Sequence, residues 1–185
     1  MKQKQGRSLP GDITGAALID RVVRVDHAGE YGAVRIYQGQ LDVLRRRDPA
    51  SARIVEHMAA QEAVHLKYFE QMITAGKARP SLLHPLWHVA GYALGAATAM
   101  MGSQAAMACT VAVEEAIDEH YAKQADRLAA AAPELTATIQ KFRDDELSHR
   151  DTALAAGASL APAYGPMKAA IKTGARLAIW LAERF

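Results

Sequence analysis

The segment Gln61-Glu62-Ala63-Val64-His65 decides the fold, because it recurs 84 residues later as Asp145-Glu146-Leu147-Ser148-His149. Both copies carry Glu-x-x-His, and a single Glu precedes each motif by 32 residues, at Glu30 and at Glu114. A four-helix bundle that holds two metal ions takes one Glu from each of two helices and a Glu-x-x-His from each of the other two. The repeat therefore predicts two helical hairpins around a site for two metal ions. The six predicted ligands are Glu30, Glu62, His65, Glu114, Glu146 and His149.

Chance accounts poorly for this arrangement. The chain has 10 Glu and 7 His in 185 residues, so about 0.4 Glu-x-x-His matches are expected at random, and two are present. Positions three and four apart share a helical face, and all four Glu fall on faces that are otherwise mostly apolar. A buried carboxylate must be protonated, paired or bound to metal. Two divalent ions neutralise four carboxylates and leave two neutral imidazoles as further ligands. The alternative is that these Glu are surface acids or form salt bridges at the edge of the core.

Length and composition are those of one α-helical domain. Half of the 185 residues are apolar, and aromatic residues make up 6%, which favours helices when Ala is as frequent as it is here. The net charge is +2 and the basic residues are not concentrated, so we predict no nucleic-acid partner. The single cysteine, Cys109, excludes an intramolecular disulfide and fits a reducing compartment. The first residues lack the hydrophobic stretch of a secretory signal.

Breaks in the helical pattern divide the chain into five predicted helices. Residues 1–12 are polar, contain Gly and Pro, and are predicted to be disordered, while residues 13–185 form one domain. Proline, glycine and the Asp48-Pro49 pair mark the ends of the helices. The predicted helices cover residues 15–47, 50–75, 85–132, 133–156 and 166–184. The sequence thus predicts an all-α fold, a four-helix bundle with an additional amphipathic helix at the C-terminus.

Two segments indicate contact with a membrane. Residues 80–113 contain no Asp, Glu, Lys or Arg, and we interpret them as an apolar surface that dips into one leaflet. In the last helix, Lys168, Lys172 and Arg176 lie on one side and apolar residues on the other, a pattern typical of an interfacial helix. Each segment has an alternative interpretation: a helix buried between two others for the first, and a helix that packs on the bundle for the second. Together they favour a peripheral membrane protein.

Four residues are predicted to surround the ligands. A metal-bound imidazole usually donates its free N–H to a carboxylate or a carbonyl oxygen. Asp145 is placed to reach His65 across the bundle, and Gln61 is its counterpart for His149. The alternative for Asp145 is a solvated charge. His120 and Tyr121 follow Glu114 by one to two turns, and we predict that they lie near the site and serve electron or proton transfer.

Several other residues compete for a role in the site. Glu115 neighbours Glu114 but lies on a different helical face and breaks the 84-residue offset, so Glu114 is the predicted ligand. His27 lies one turn before Glu30, but its repeat position is Val111, so we assign it a supporting or structural role. The remaining histidines belong to no pattern and are expected in solvent or at helix ends. They are His57, His84 and His88.

The motif segments resemble the demethoxyubiquinone hydroxylases of ubiquinone biosynthesis. The resemblance extends from about residue 19 to residue 185. It is carried by the segments Arg24–Ala33, Gln61–His65, Ala108–Glu115, Phe142–His149 and Leu160–Tyr164. It implies a ferritin-like di-iron fold, peripheral attachment to a membrane, and the six residues above as iron ligands. It also implies an O₂-dependent monooxygenase that hydroxylates the benzoquinone ring of a polyprenylated precursor.

The resemblance further implies two iron ions, a polyprenylated quinol and O₂ as substrates, and NADH or another reductant as electron source. We predict no catalytic residue beyond the metal ligands. The expected location is the cytoplasmic face of a bacterial inner membrane, or alternatively the matrix side of the mitochondrial inner membrane. A lipid-binding protein or a biosynthetic complex is a possible protein partner. The alternative function is a ferritin-like protein for iron storage or ferroxidation, which uses similar ligands in a similar bundle.

Overall fold

The computed structural model describes Ile13 and residues 15–185, all of which lie in helices or short connections. The predicted disordered segment, residues 1–12, lies outside the described residues. The all-α prediction is confirmed. The helices are α1 (Ala16–Arg47), α2 (Pro49–Thr74), α3 (His84–Met100), α4 (Ser103–Leu128), α5 (Pro133–Ala155) and α6 (Tyr164–Ala182), with a short 3₁₀ helix at Ala158–Leu160.

The second helix of each hairpin begins at a proline, and the two prolines occupy equivalent positions of the 84-residue repeat. Pro49 is the first residue of α2 and Pro133 is the first residue of α5, 84 positions apart. Proline suits the first turn because its missing N–H would have no partner there. At α2, the Asp48 side chain also accepts a hydrogen bond from the Ser51 N–H at 3.1 Å, which caps the helix. These local signals fix the hairpin boundaries that the sequence predicted.

The prediction of a single helix over residues 85–132 is wrong, because this part of the chain forms two helices, α3 and α4. The break falls at Met101 and Gly102, where Gly102 adopts φ 124° and ψ 162°. Glycine adopts this conformation at little cost because it has no Cβ. The uncharged stretch is thereby divided. Its first part forms α3 outside the bundle, and its second part begins α4, where the segment Ala105–Val113 is buried.

The helices form three layers with α1 and α4 in the middle. These two run antiparallel, since Tyr37 of α1 meets Glu114 of α4 and Tyr121 of α4 meets Glu30 of α1. Helices α2 and α5 pack on one side and complete an antiparallel four-helix bundle of the ferritin-like kind. Helices α3 and α6 pack on the other side, where each contacts both α1 and α4. The six helices thus divide into two copies of a three-helix unit, α1–α3 and α4–α6.

Helix α3 runs parallel to α1 at very short separation. A Cβ atom at Gly95 would overlap the Ile36 carbonyl oxygen, and one at Gly39 would overlap the Tyr92 carbonyl oxygen. Only glycine at these positions lets the two backbones approach so closely. Helix α3 therefore docks through backbone contact rather than through charge.

Helix α6 docks on α4 through ion pairs. Glu115 accepts from Lys168 at 2.9 Å and from Lys172 at 2.7 Å, and Glu119 pairs with Lys172 at 2.9 Å and with Arg176 at 2.6 Å. This corrects the interpretation of Lys168, Lys172 and Arg176 as a lipid-facing basic stripe. The packing alternative holds for this side of the helix. No helix among residues 15–185 has the length and hydropathy needed to cross a membrane.

Candidate metal centre

The six predicted ligands come together at the centre of the bundle. Each is 2% exposed or less, and together they form two groups whose ligand atoms lie within 4.8 Å of one another. Two carboxylates, Glu62 and Glu146, belong to both groups. The first group adds Glu30 and His65, and the second adds Glu114 and His149. This is the pattern expected for two ions with a shared pair of carboxylates between them.

The donor atoms of this cluster form no hydrogen bond of good geometry, although His149 Nδ1 lies 2.9 Å from Glu62 Oε1 and His65 Nδ1 lies 3.2 Å from Glu146 Oε1. Both oxygens of Glu62 and of Glu146 are buried and unpartnered. The same holds for one oxygen of Glu30, one oxygen of Glu114 and the Nδ1 atoms of His65 and His149. The cluster thus contains eight such atoms. Buried polar atoms without a partner are rare and costly in a folded protein. Eight of them facing one point are explained if they hold metal ions, and this donor set of four carboxylates and two imidazoles fits two iron ions.

Electrostatics in the cluster favour the same conclusion. Burial, followed by repulsion from Glu62, raises the pKa of Glu30 well above its ordinary value. Burial and repulsion from Glu146 do the same to the pKa of Glu114. Four carboxylates in a dry space cannot all stay ionised without compensating charge. Divalent cations supply that charge and relieve the repulsion.

The two histidines are oriented by the residues that the sequence placed near them. His65 Nε2 lies 3.1 Å from Asp145 Oδ2, and His149 Nε2 lies 3.0 Å from Gln61 Oε1. Each contact holds the outer nitrogen, so that Nδ1 faces the cluster. Both contacts predicted across the bundle are therefore present, and they link α2 to α5.

Two tyrosines hydrogen-bond to the ligands that α1 and α4 supply. The Tyr37 hydroxyl donates to Glu114 Oε1 at 2.7 Å, and the Tyr121 hydroxyl donates to Glu30 Oε1. Burial and nearby carboxylates raise the pKa of both phenols, so both remain neutral donors. Tyr121 was predicted to lie near the site, whereas Tyr37 was missed. The missed signal is the repeat itself, because the two tyrosines also lie 84 positions apart.

A further polar cluster lies beside Tyr121. Asp26 is buried, and its Oδ1 accepts from Gln124 Nε2 at 2.8 Å and lies 3.2 Å from His120 Nε2. His120 thus lies near the site, as predicted, but it contacts Asp26 rather than a ligand. Asp26 and Gln124 were missed. Asp26 precedes Glu30 by one turn on the same face, which is the signal that could have identified it.

The remaining candidates lie outside the ligand groups. Glu115 faces α6, as its ion pairs with two lysines show. His27 is buried and stacks on His84, with ring centroids 5.7 Å apart. Burial and His84 lower the pKa of His27 to about 4, so it is neutral at neutral pH. His88 Nδ1 lies 2.5 Å from the Tyr31 hydroxyl at the surface.

An apolar groove lies between α3 and α6, on the side of α1 and α4 that faces away from α2 and α5. Its volume is about 460 Å³. Gly29, Gly32 and Ala33 of α1 and Val113 and Ile117 of α4 belong to its lining. Ala33 follows Glu30 by three positions and Ile117 follows Glu114 by three positions, so both also lie on the faces that carry the ligands. Helices α1 and α4 thus contribute residues both to the groove and to the cluster.

Comparison with known proteins agrees with the motif resemblance. The model of the family described as "Ubiquinone biosynthesis protein COQ7" matches residues 17–182. A 3-demethoxyubiquinol 3-hydroxylase of Rhodospirillum rubrum is 60% identical over 176 residues, which are 95% of this chain and 82% of that protein. The mitochondrial NADPH-dependent 3-demethoxyubiquinone 3-hydroxylase of Mus musculus is 50% identical over 94% of this chain and 81% of its own length. The mitochondrial 5-demethoxyubiquinone hydroxylase of Saccharomyces cerevisiae is 44% identical over 91% and 79%. This chain therefore belongs to the COQ7 family of ubiquinone biosynthesis proteins.

Proposed function

We propose that this protein is a di-iron monooxygenase that hydroxylates the ring of demethoxyubiquinol in ubiquinone biosynthesis. The observation that carries the proposal is the set of eight buried, unpartnered donor atoms from Glu30, Glu62, His65, Glu114, Glu146 and His149. Relatives that are 60% and 50% identical to this chain are named for this hydroxylation. A pair of iron ions supplies the activation of O₂ when it is bound.

The residues around the ions have separable tasks. Glu62 and Glu146 are the two carboxylates common to both groups, and they would contribute ligand atoms to both ions. Glu30 and Glu114 each offer one oxygen to a metal, because a tyrosine hydroxyl occupies the other. Their almost complete burial keeps water away from the reacting atoms, which protects a reactive centre from side reactions.

The groove between α3 and α6 is proposed as the binding site for the quinol. Its lining is apolar and includes small residues that leave room for a flat ring and a prenyl tail, among them Gly29, Gly32 and Gly174. A Cβ atom at any of these three glycines would meet no other atom within 4 Å. Ala33 is the small residue of α1 that lies between the groove and Glu30. The ring would reach the metal centre past this position.

A lipid surface is the proposed source of the substrate. Leu86, Val89 and Met100 of α3 are exposed, as are Leu177 and Trp180 of α6. These exposed apolar residues lie on the two helices that flank the groove, and α3 contains no Asp, Glu, Lys or Arg. Exposed apolar surface of this kind is typical of a protein that binds a membrane or a partner. We infer peripheral attachment, on the cytoplasmic face of a bacterial inner membrane or on the matrix side of the mitochondrial inner membrane.

A reduced nicotinamide nucleotide is the proposed electron source, since several mitochondrial relatives are named NADPH-dependent. A biosynthetic or lipid-binding protein is the proposed partner on the same apolar surface. The alternative function, iron storage or ferroxidation, requires the same ligands but has no use for an apolar groove next to them. Analysis of the reaction products distinguishes the two functions.

The test is product formation by the iron-loaded protein. Anaerobic protein is reduced with NADPH, exposed to ¹⁸O₂ in the presence of demethoxyubiquinol with a prenyl tail in liposomes, and the quinones are analysed by mass spectrometry. One ¹⁸O atom in the ring is expected. Accumulation of ferric mineral without a hydroxylated product would establish the iron-storage alternative instead.

Gly29→Leu provides the test of the groove. The leucine side chain would enter the open space of the groove. The control is Gly165→Leu, because Gly165 does not line the groove and an added Cβ there would also meet nothing within 4 Å. We expect Gly29→Leu to bind iron normally and to lose product formation, and Gly165→Leu to retain both. Equal product formation by the two variants would rule out the groove as the substrate site.

A further inference from the structure

The two halves of the metal centre differ in the residues behind their tyrosines. The repeat pairs Tyr121 with Tyr37 and Gln124 with Gln40, 84 positions apart. The other two residues of the polar cluster, Asp26 and His120, have no equivalent residue at the repeat position. Thr110 occupies the position of Asp26, and Ile36 occupies the position of His120. Among these repeat-related positions in the described part of the chain, the two ionisable residues, Asp26 and His120, therefore both lie on the Glu30 side.

On the Glu30 side, the polar groups form a connected cluster that reaches the surface. Asp26 Oδ1 lies 2.8 Å from Gln124 Nε2 and 3.2 Å from His120 Nε2, and those two nitrogens lie 2.7 Å apart. The Asp26 side chain is fully buried, whereas the His120 side chain is 13% exposed. The second oxygen, Asp26 Oδ2, is buried without a hydrogen-bond partner. The cluster thus has one end in solvent and one free acceptor inside.

The inner end of this cluster is next to the metal ligands. Asp26 lies one helical turn before Glu30 on α1, and His120 immediately precedes Tyr121, whose hydroxyl donates to Glu30. Burial, followed by the negative charges of Glu30 and Asp26, raises the pKa of Tyr121. Glu146 is the other carboxylate that acts on Tyr121 from the bundle core.

On the Glu114 side, the corresponding space is closed. The Gln40 side chain donates to the Ala106 carbonyl oxygen at 3.0 Å and is fully buried. The Thr110 hydroxyl is buried and has no partner. Ile36 replaces the imidazole with an alkyl group that cannot carry a proton. No titratable group beyond Tyr37 and the ligands is thus placed here by the repeat.

Hydroxylation of a ring by O₂ requires protons at this buried site. The reaction converts a ring C–H, O₂, two electrons and two protons into a ring C–OH and one water. A hydride from a reduced nicotinamide supplies the two electrons and one proton, and solvent supplies the second proton. Because the ligands are almost completely buried, this proton must be carried to them by side chains or by an ordered path.

We propose that His120, Asp26 and Gln124 form the proton path from solvent to the Glu30 side of the metal centre, and that the Glu114 side has none. In this path, His120 takes a proton at its exposed edge and transfers it to the Asp26 carboxylate. Asp26 then releases it from the inner oxygen, towards Glu30 and the Tyr121 hydroxyl. The Gln124 amide donates to Asp26 Oδ1 and so fixes that carboxylate beside His120. The path rests on the proposed hydroxylation, because it supplies the proton that this reaction consumes.

The protonation behaviour of Asp26 agrees with such a role. Burial raises the pKa of Asp26, and the contacts with His120 and Gln124 oppose part of that rise. A carboxyl group whose pKa is shifted towards neutrality can both accept and release a proton at working pH. These residues touch neither substrate nor donor atoms of the ions, so they act as positioning and transfer residues.

The test compares Asp26→Asn with Thr110→Val, the matched change at the repeat position on the other side. Asp26→Asn keeps the shape and a hydrogen-bonding oxygen but cannot carry the proton. We expect it to bind two irons with an unchanged melting temperature, and to hydroxylate about 100-fold more slowly. We also expect its solvent deuterium isotope effect in a single turnover to increase, because proton transfer becomes rate-limiting. Thr110→Val should match the wild type in all four measurements.

His120→Gln is the second variant, since it changes the exposed end of the path and leaves the bundle core untouched. It should slow turnover and raise the solvent isotope effect as Asp26→Asn does, and Asp26→Glu should recover part of the rate. Wild-type rates and isotope effects in both Asp26→Asn and His120→Gln would overturn the proton path. Loss of iron from Asp26→Asn combined with normal behaviour of His120→Gln would also overturn it and make Asp26 structural. Absence of product from the wild-type protein would instead count against the proposed hydroxylation.

Discussion

The two three-helix units, α1–α3 and α4–α6, agree at the metal centre and differ almost everywhere else. Each supplies a Glu from its first helix, a Glu-x-x-His from its second, and a tyrosine that hydrogen-bonds to the Glu of the other unit. Their third helices dock by different means. Helix α3 lies against α1 through glycine contacts with the backbone, whereas α6 is held on α4 by ion pairs. Two equivalent ions require equivalent ligands, whereas the helices around them can pack in many different ways.

The largest expected effect tests the equivalence of the two units. Because Glu62 and Glu146 belong to both ligand groups, Glu62→Ala and Glu146→Ala should each lower bound iron from about two per chain to less than about one. Both variants should lose turnover. Metal analysis after desalting is the measurement. If either variant kept full occupancy, the two shared carboxylates would not be equivalent.

The next prediction separates the two docking modes. Gly95→Ala places a Cβ on the Ile36 carbonyl oxygen, so we expect it to lower the free energy of unfolding by about 3 kcal/mol. Gly174→Ala on α6 meets no atom within 4 Å, and its better helix propensity should stabilise the protein by up to about 1 kcal/mol. Urea unfolding of both variants is the measurement. Similar destabilisation by the two would mean that α6 also docks by close backbone contact.

The tyrosine pair is expected to behave symmetrically. Tyr37→Phe and Tyr121→Phe each remove one hydrogen bond to a ligand carboxylate, and each should weaken metal affinity by about 10-fold. Titration of the apoprotein with Co²⁺, followed by its visible absorption, measures this affinity. A clearly larger loss in one variant would show that the two halves already differ at the ligands themselves.

The smallest effect concerns adjacent glutamates with opposite roles. Glu115→Gln removes ion pairs to Lys168 and Lys172 on a partly exposed surface, which should destabilise α6 by about 0.5–1 kcal/mol and leave both irons bound. Glu114→Gln should lose iron instead. Amide hydrogen exchange of α6 and iron content are the two measurements. Equal loss of iron in both variants would contradict the assignment of Glu114 as the ligand.

The same ion pairs predict that the docking of α6 depends on pH. Burial acts to raise the pKa of Glu115, but hydrogen bonds from Lys172 and Lys168 outweigh it, and the net shift is downward. A carboxylate with a lowered pKa in the folded state stabilises that state above its ordinary pKa and loses this contribution as the pH falls through the lowered value. Amides of α6 should therefore exchange faster as the pH falls, and this acceleration should be smaller in Glu115→Gln, which has already lost the ion pairs. Equal acceleration in the wild type and in Glu115→Gln would show that these ion pairs do not hold α6.

Much of the architecture was predictable because its signals are local. The prolines at positions 49 and 133 mark helix starts, and the 84-residue offset identifies ligand positions on helical faces. The contacts of Asp145 and Gln61 with the opposite histidines followed from the same periodicity. A periodic pattern of this strength fixes which residues share a face whatever the details of packing.

The sequence by itself determined the all-α bundle, its hairpin boundaries and the six residues that converge at its centre, because these depend on helical periodicity and on the cost of burying carboxylates. Only the tertiary structure decided the break at Gly102, the pairing of the α6 basic residues with α4, and the one-sided contact of Asp26 with His120. Those features depend on which surfaces meet. The sequence pattern of a lysine is the same whether its side chain faces lipid or a glutamate of another helix. Only the three-dimensional arrangement of the helices distinguishes the two.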